Sequence, residues 1–377
     1  MGPAVEAAII AGSVGVLTLI GTLAAQYYGI RRTSRDTLNA RFATAADKLG
    51  SEAPAVRLAG IYAMTGLADD WPENRQTCVE VLCGYLRMPY EPDPGEEAAE
   101  RERIAFRANS EVRHTVIRVI AAHLKADAVV SWQGLNLDFR GVVFDGGDFD
   151  GAHFKGGKVS FRRAHFPSGW VTFRGAKFDA EVSFSAATFT GGSVTFGKAQ
   201  FVGGTVHFIG AHAFGGQVNF GGAEFSGAEV SFDFAKFSGA EVSFRGAKFP
   251  GGTVSFAEAE FSSGQIEFGF AKFSGGQVSF SRAKFPGGTV SFRGAGFSGG
   301  QVSFGVAKFS GGTVDFSAAK FPGGTVSFPG AEFFGGTVDF SEASDWSNPP
   351  AFTWTDPPPG VKLPKRTIDP RSRPHSP

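Results

Sequence analysis

Phenylalanine recurs in this chain at alternating steps of five and seven residues between Phe139 and Phe340. From Phe184 onward the spacing forms two interleaved sets, each with a period of twelve residues. An Ala or Val stands two places before most of these phenylalanines, and residues two apart on an extended chain share one face. We therefore predict that the phenylalanines and these small residues point inward. The intervening Ser, Lys, Glu and Asp residues are predicted to point outward.

Glycine pairs such as Gly275-Gly276 and Gly287-Gly288 occupy the same place in successive repeats. Glycine adopts positive φ without steric cost, so these pairs favour repeated tight turns. They do not indicate phosphate-binding loops, because they recur every twelve residues and none opens a helix with Gly-Lys-Ser/Thr. A short period of equivalent units is typical of a solenoid, in which each unit buries its apolar face against its neighbours.

The repeat resembles the pentapeptide-repeat family, whose unit has a small residue, a polar residue, a central Leu or Phe, and two polar or small residues. The similarity covers about Leu135 to Ala343, and it is closest where uninterrupted five-residue steps join Phe139, Phe144, Phe149 and Phe154. The later alternation of five and seven departs from the family pattern. The resemblance implies a mostly β fold, a right-handed, four-sided (quadrilateral) β-helix with the central residues stacked inside.

Two enlarged corners per coil would lengthen the coil from about 20 to about 24 residues, and strands stacked about 4.8 Å apart would give a rod roughly 40 Å long. A flat, two-sided solenoid with twelve residues per coil is the alternative. This flat form offers less interior space for its two phenylalanines per coil than the four-sided form does.

Composition divides the chain into four segments. Residues 1–32 are predicted to hold a transmembrane helix, residues 33–130 an α-helical region, residues 131–343 the solenoid, and residues 344–377 a Pro-rich cap with a disordered tail. An uncovered solenoid end would expose apolar side chains and strand edges. The aromatic residues that we expect to close this end are Trp346, Phe352 and Trp354.

The transmembrane prediction rests on residues 7–30, which carry no charge over 24 positions. As a helix they would extend about 36 Å, against a hydrocarbon core of about 30 Å. Arginines follow the span, so the positive-inside rule places the C-terminal bulk in the cytoplasm as a single-pass protein. Self-association through this helix is a further possibility, because small residues lie four apart. They are Ala7, Ala11 and Gly15.

Apolar residues at helical spacing predict four helices between Thr33 and about Lys125, with Pro54 and Pro72 in first turns. These helices form two pairs that weakly resemble HEAT or armadillo repeats. Cys78 and Cys83 fall within the apolar pattern and are predicted to be reduced core residues. The predicted inward residues are Leu38, Phe42, Ala45, Leu49, Val56, Leu58, Ile61, Leu67, Val79, Leu82, Leu86, Val116, Ile117, Ile120 and Leu124.

One position of the ladder is irregular. The expected phenylalanine slot at 213 holds alanine, and Phe214 stands beside it. We predict a one-residue bulge that turns Phe214 inward. Without it, the chain would both expose the Phe214 ring to solvent and leave a void beside Ala213, and each of these is unfavourable.

Reactive side chains are sparse and dispersed. The seven histidines lack metal-ligand spacing, and no break in the repeat gathers acids, bases or a nucleophile. We therefore expect no enzyme activity, and no catalytic, cofactor-binding or metal-binding residues. The histidines are His114, His123, His153, His165, His207, His212 and His375.

Lysines recur before alternate phenylalanines and are mixed with glutamates, which indicates a self-neutralised face. Thr/Ser pairs at Thr253/Ser255, Thr289/Ser291 and Thr325/Ser327 superficially resemble the flat hydroxyl array of ice-binding solenoids, but Gln277 and Asp315 interrupt it, so we do not expect an ice-binding surface. The lysines are Lys236, Lys248, Lys272, Lys284, Lys308 and Lys320, and the glutamates are Glu224, Glu260 and Glu332.

Net charge weighs against the activity best known in the family, the protection of gyrase by an acidic rod that imitates DNA. Residues 134–343 contain 17 Lys and Arg against 17 Asp and Glu. A neutral rod neither mimics a polyanion nor binds one well, so we expect no nucleic-acid partner. The sequence thus favours a membrane-anchored scaffold that binds an unknown protein partner, with a regulator of topoisomerase or nucleic acid as the alternative.

Overall fold

The computed structural model describes residues 35–91 and 93–365 of the 377-residue chain. The membrane helix predicted at residues 7–30 and the tail beyond residue 365 lie outside this part. Among the helices that are described, none is long and apolar enough to cross a membrane. The chain forms two compact units, one up to Val81 and one from Leu82 onward.

Four helical segments precede the solenoid: α1 (residues 35–49), α2 (Pro54–Asp70), α3 (Arg75–Arg87) and α4 (Glu100–Leu124). A 3₁₀ turn, Pro72–Asn74, joins α2 to α3. Pro54 and Pro72 begin their elements as predicted, since the first turn of a helix needs no N–H donor.

Most residues of the predicted apolar stripes are buried or half-buried on these helices, but Val56 is exposed, so that part of the second stripe was wrong. Cys78 and Cys83 are both buried and reduced, as predicted. Burial raises the pKa of the Cys78 thiol, which favours its protonated form.

Parallel β-pairing from coil to coil builds the second unit into a solenoid of about nine turns. Paired residues are 24 apart through most of its length, as in Gln265↔Thr289, and 22 apart in the first coil, as in Leu137↔Val159. The 24-residue coil was predicted. The register excludes the two-sided alternative, in which paired residues would be twelve apart.

The strands form two sheets within the described chain, one of twelve strands and one of sixteen. The first sheet contains β1 (Leu137–Asp138), β3 (His153–Ser160), β6 (Lys177–Ser183), β9 (Gln200–His207), β12 (Glu224–Phe225), β13 (Glu229–Ser231), β15 (Lys248–Phe249), β16 (Thr253–Ser255), β18 (Lys272–Ser279), β21 (Gly296–Ser303), β24 (Thr325–Phe328) and β27 (Ala351–Phe352). The second contains β2 (Gly147–Asp148), β4 (His165–Phe166), β5 (Trp170–Thr172), β7 (Thr188–Phe189), β8 (Ser193–Thr195), β10 (His212–Ala213), β11 (Gln217–Asn219), β14 (Lys236–Ser243), β17 (Glu260–Glu267), β19 (Lys284–Phe285), β20 (Thr289–Ser291), β22 (Lys308–Phe309), β23 (Thr313–Asp315), β25 (Glu332–Phe333), β26 (Thr337–Asp339) and β28 (Val361–Lys362).

Phenylalanine rings fill the interior in four columns, one on each side of the coil. Rings of one column stack nearly parallel, as in Phe256 and Phe280, whose centroids are 4.9 Å apart at 4°. Rings of facing columns meet edge to face, as in Phe256 and Phe268, at 5.9 Å and 84°. Rings of neighbouring columns are tilted, as in Phe256 and Phe261, at 6.3 Å and 47°. Stacked and edge-to-face pairs are favourable, at about 0.5–1.5 kcal/mol each.

The first column contains Phe139, Phe161, Phe184, Phe208, Phe232, Phe256, Phe280, Phe304 and Phe328. The second contains Phe144, Phe166, Phe189, Phe237, Phe261, Phe285, Phe309 and Phe333, with Ala213 between Phe189 and Phe237. The third contains Phe149, Phe173, Phe196, Phe220, Phe244, Phe268, Phe292, Phe316 and Phe340. The fourth contains Phe154, Phe178, Phe201, Phe225, Phe249, Phe273, Phe297 and Phe321.

The corners explain the glycine pairs. Gly252 has φ +68°, and a Cβ there would lie 2.6 Å from the carbonyl oxygen of Ala228 in the preceding coil. Glycine is required because both the positive φ and the close backbone approach exclude a side chain.

The C-terminal end of the solenoid is closed by aromatic residues, as predicted. Trp346 meets Phe321 and Phe340 edge to face, Phe352 stacks on Phe328 at 5.1 Å, and Trp354 stacks on Phe352 at 4.3 Å. Strand β28 then pairs with β26. Residues 346–362 therefore extend the solenoid as a partial last coil.

Candidate protein-binding surface

Charged residues occupy the outside of the second and fourth sides. On the second side Glu260 is in register with Lys236 and Lys284, whereas Lys284 is in register with Lys308. The ion pair between Lys308 and Glu332 measures 3.3 Å and is largely exposed, so it contributes little stability. The predicted mixture of signs is present, but it includes neighbours of like charge.

The Thr/Ser pairs are divided between two sides of the coil. Thr253 is in register with Gln277 on the first side, whereas Thr289 is in register with Thr313 on the third side. Because the coil has 24 residues, Thr/Ser pairs that are 36 residues apart lie on opposite sides. The three pairs therefore do not form one flat surface, which agrees with the interruptions at Gln277 and Asp315 that disfavoured an ice-binding array.

The bulge predicted at position 213 was also wrong. Ala213 is 4% exposed and stays in the second column, in register with Phe189 and Phe237, while Phe214 is 48% exposed. The backbone N–H of Phe214 donates to the carbonyl oxygen of Phe189 at 2.9 Å. Turning Phe214 inward would break the pairing of β10 with both neighbouring coils.

Two other exposed phenylalanines lie at corners with left-handed backbone, Phe234 at φ +58° and Phe270 at φ +58°. Bulky residues rarely adopt this conformation, which costs roughly 1–2 kcal/mol. The Phe270 ring is covered by the guanidinium group of Arg245, 4.9 Å from the ring centroid. No such cation or ring contacts Phe234 among the residues that the structure describes.

Phe234 belongs to a group of exposed and half-buried residues on two adjacent coils, which we call the second-side patch: Ile209, His212, Phe214, Phe234 and Lys236. Adjacent backbone holds it together, since His212 pairs with Lys236 and the N–H of Gly210 donates to the carbonyl oxygen of Asp233 at 2.8 Å.

Within the patch, the His212 ring meets the Phe214 ring edge to face at 5.2 Å. Burial, and then the nearby Lys236 charge, lower the pKa of His212, so its neutral form is favoured. The patch therefore combines three exposed apolar side chains with a neutral histidine and one cation, a composition suited to contact with a protein.

A second cluster lies where α4 meets the first coil. The carboxylate of Asp145 accepts a hydrogen bond from Tyr90 Oη at 2.6 Å and contacts His114 Nε2 at 3.0 Å. Ser110 Oγ donates to the same carboxylate at 3.4 Å. Burial raises the pKa of Asp145, but the hydrogen bonds from His114 and Tyr90 outweigh it and leave that pKa below its usual value.

Ser110, His114 and Asp145 are the residue types of a hydrolase triad, but their geometry differs from one. His114 Nε2 faces both Asp145 and Ser110, the latter at 3.5 Å, whereas a triad uses the two ring nitrogens for the two partners. Gly146 permits this approach, because a Cβ there would lie 2.8 Å from the His114 ring. The cluster holds α4 against the solenoid.

Arg113 reinforces this junction from α4. Its guanidinium group donates to the carbonyl oxygens of Leu86 at 2.9 Å and Val143 at 3.0 Å, and lies over the Tyr90 ring. Burial lowers the pKa of this group. No local motif indicates this network, because its members are up to 55 residues apart.

Histidine, cysteine and acidic residues form no group of three or more that would hold a metal ion within residues 35–91 and 93–365. His153, His165 and His212 lie on three different coils of the solenoid.

Comparison with known proteins adds one match. Residues 139–188 match the family model described as pentapeptide repeats (9 copies). No curated protein and no solved structure matches the chain. The matched segment covers the first coils, and the four phenylalanine columns continue from it to Phe340 without a change of fold.

Proposed function

The chain carries a pentapeptide-repeat solenoid, and from this premise we propose that it is a non-enzymatic scaffold that binds another protein at the second-side patch. We further propose that residues 7–30 anchor it in a membrane, with the solenoid in the cytoplasm.

The observation that carries this proposal is Phe234. Its ring is 53% exposed and its backbone is held in a conformation that glycine or asparagine adopts more easily. The same left-handed φ recurs at other corners, such as Lys198 and Ala318, so the exposed ring is what distinguishes Phe234 from them. Since Ile209 and Phe214 are also exposed, on the adjacent coil, a partner with an apolar surface would contact all three side chains.

Charge distribution disfavours the alternative, a regulator that imitates or binds nucleic acid. The solenoid has 17 charges of each sign between residues 134 and 343, and its facing side chains include the pairs Lys158–Glu181, Arg245–Glu267 and Lys308–Glu332. Affinity for duplex DNA grows with the number of phosphates that a protein neutralises. A surface of compensated charges lacks the required excess of either sign.

The test of partner binding compares two asparagine substitutions in the full-length chain. Phe234→Asn removes the exposed ring and relieves the backbone, so the fold is kept and the patch is lost. Phe270→Asn is the matched control, because Phe270 has the same φ but lies at another corner. Quantitative mass spectrometry after crosslinking in intact membranes should show partners that Phe234→Asn loses and Phe270→Asn retains. Equal capture by both variants would contradict binding at the patch.

The membrane and nucleic-acid parts have separate tests. A protease site inserted after Arg35 should be cleaved only from the cytoplasmic side, and release of the protein by high salt alone would argue against a spanning helix. The protein should neither protect gyrase from a quinolone nor retard duplex DNA at physiological salt. Gyrase protection at micromolar concentration would favour the alternative function.

A further inference from the structure

We propose that the solenoid contains a binding site for one small apolar ligand, the size of a xenon atom or a diatomic gas, at the position where the second column lacks a ring. A cavity of about 20 Å³ lies beside Ala213. It is lined along the column by Phe189 and Phe237, and the rest of its lining includes Val218 and Val242.

The cavity persists because the surrounding structure is fixed on both sides. Backbone pairing keeps Ala213 in register with Phe189 and Phe237, so the neighbouring coils cannot approach each other. Phe237 leans only slightly from its column: its ring is 5.1 Å and 11° from Phe261, compared with 4.9 Å and 6° between Phe261 and Phe285. This small displacement leaves part of the space of one ring open.

Chemistry of the lining decides which ligand the site accepts. The side chains around the cavity are Ala, Val and Phe, so they offer only carbon and hydrogen to an occupant. A water molecule needs two or more polar partners to remain in a buried cavity, and none is present in this lining. An apolar atom loses nothing on entry and gains dispersion contacts with the rings.

Size restricts the ligand further. A cavity needs about 10–15 Å³ to hold one water-sized particle, whereas an engineered cavity that binds benzene measures about 150 Å³. At about 20 Å³ the site accommodates a single small gas molecule or atom and excludes benzene. Phe214 does not fill it, because that side chain is on the outside.

Xenon is the probe for the test. The full-length chain, ¹³C-labelled at Ala and Val methyl groups and kept in mild detergent, is titrated with xenon gas in an NMR cell. The methyl resonances of Ala213, Val218 and Val242 should shift saturably with xenon pressure. Those of Val290 and Val314, in complete coils farther along, should not. Xenon that shifts no cavity methyl, or shifts both sets equally, would overturn the proposal.

Two variants identify the position of the site. Ala213→Phe supplies the missing ring and should abolish the xenon-dependent shifts of Val218 and Val242. Ala213→Val fills the space with a smaller side chain and serves if the phenylalanine variant fails to fold. Phe214→Ser removes the exposed ring and should leave the shifts unchanged; their loss in this variant would show that xenon binds at the surface instead.

Discussion

Two positions in the second column differ in their side chain: Phe261 supplies a ring, and Ala213 does not. Both residues lie in strands that pair in parallel with the coil before and the coil after. Phe261 stacks between Phe237 and Phe285, whereas Ala213 leaves a cavity between Phe189 and Phe237. Parallel pairing with both neighbouring coils is therefore kept with and without the ring.

This difference shows that the two roles of the repeat are separable. Backbone pairing and corner turns set the path of the coil, and the rings fill the space that this path encloses. In a solenoid each coil contacts mainly its neighbours, so a missing ring lowers stability locally without changing the coils beyond. The coil that contains Ala213, which we call the incomplete coil, also carries the exposed Phe214. The next coil carries Phe234, whose backbone is left-handed.

Phe261→Ala should produce the largest effect, because it creates in a complete coil what Ala213 already provides. We expect a loss of about 3–5 kcal/mol in the free energy of unfolding, measured by urea denaturation, since large-to-small core changes remove burial and leave a cavity. Gln265→Ala in the same strand points outward and should cost less than about 0.5 kcal/mol. Similar losses for the two variants would refute the inward assignment of the ring.

Phe234→Asn should stabilise the solenoid by about 1–2 kcal/mol, because asparagine tolerates the left-handed backbone that phenylalanine strains. Phe270→Asn should gain less, since it also loses the Arg245 contact, which contributes about 0.5–1 kcal/mol. Thermal unfolding of both variants measures the difference. A loss of stability in Phe234→Asn would mean that the exposed ring packs against the solenoid in solution.

Ala213→Phe should raise the free energy of unfolding by about 0.5–1 kcal/mol, because filling a cavity recovers roughly 24 cal/mol for each Å³. The gain is small because the cavity is only about 20 Å³. Urea denaturation measures the unfolding free energy of this variant alongside that of Phe261→Ala. Destabilisation by this variant would indicate that the neighbouring rings have closed the space.

Acidification should weaken the incomplete coil through His212. Burial and Lys236 lower the pKa of His212 below its ordinary 6.5, so the unfolded chain binds a proton more readily than the folded one. Stability from this residue is therefore fully present above pH 6.5 and is lost as the pH falls below that value. His212→Gln should reduce the pH dependence of the unfolding free energy between pH 7.5 and 5. Part of that dependence should remain, because the pKa of His153 is also lowered. An unchanged slope would exclude His212 as its source.

The sequence predicted the repetitive part of the molecule well because its information is local. The spacing of Phe280, Phe285 and Phe292 identifies inward positions and coil length without reference to the rest of the chain. Glycine at Gly252 marks a corner for the same reason, since positive φ is a property of a single residue. Pro54 and Pro72 likewise mark the starts of helical elements.

Positions that depend on distant contacts were not predictable in this way. The Asp145 network joins Tyr90, Ser110 and His114 to the first coil, and no spacing relates these residues.

By itself, then, the sequence determined the periodic solenoid, its inward phenylalanines and its corners, because each of these follows from the geometry of a few consecutive residues. The tertiary structure decided what happens at Ala213. There the burial of one ring competes with hydrogen bonds to two neighbouring coils, and pairing on both sides keeps Ala213 inside and Phe214 outside. That balance depends on residues 24 positions away in each direction, so no local pattern contains it.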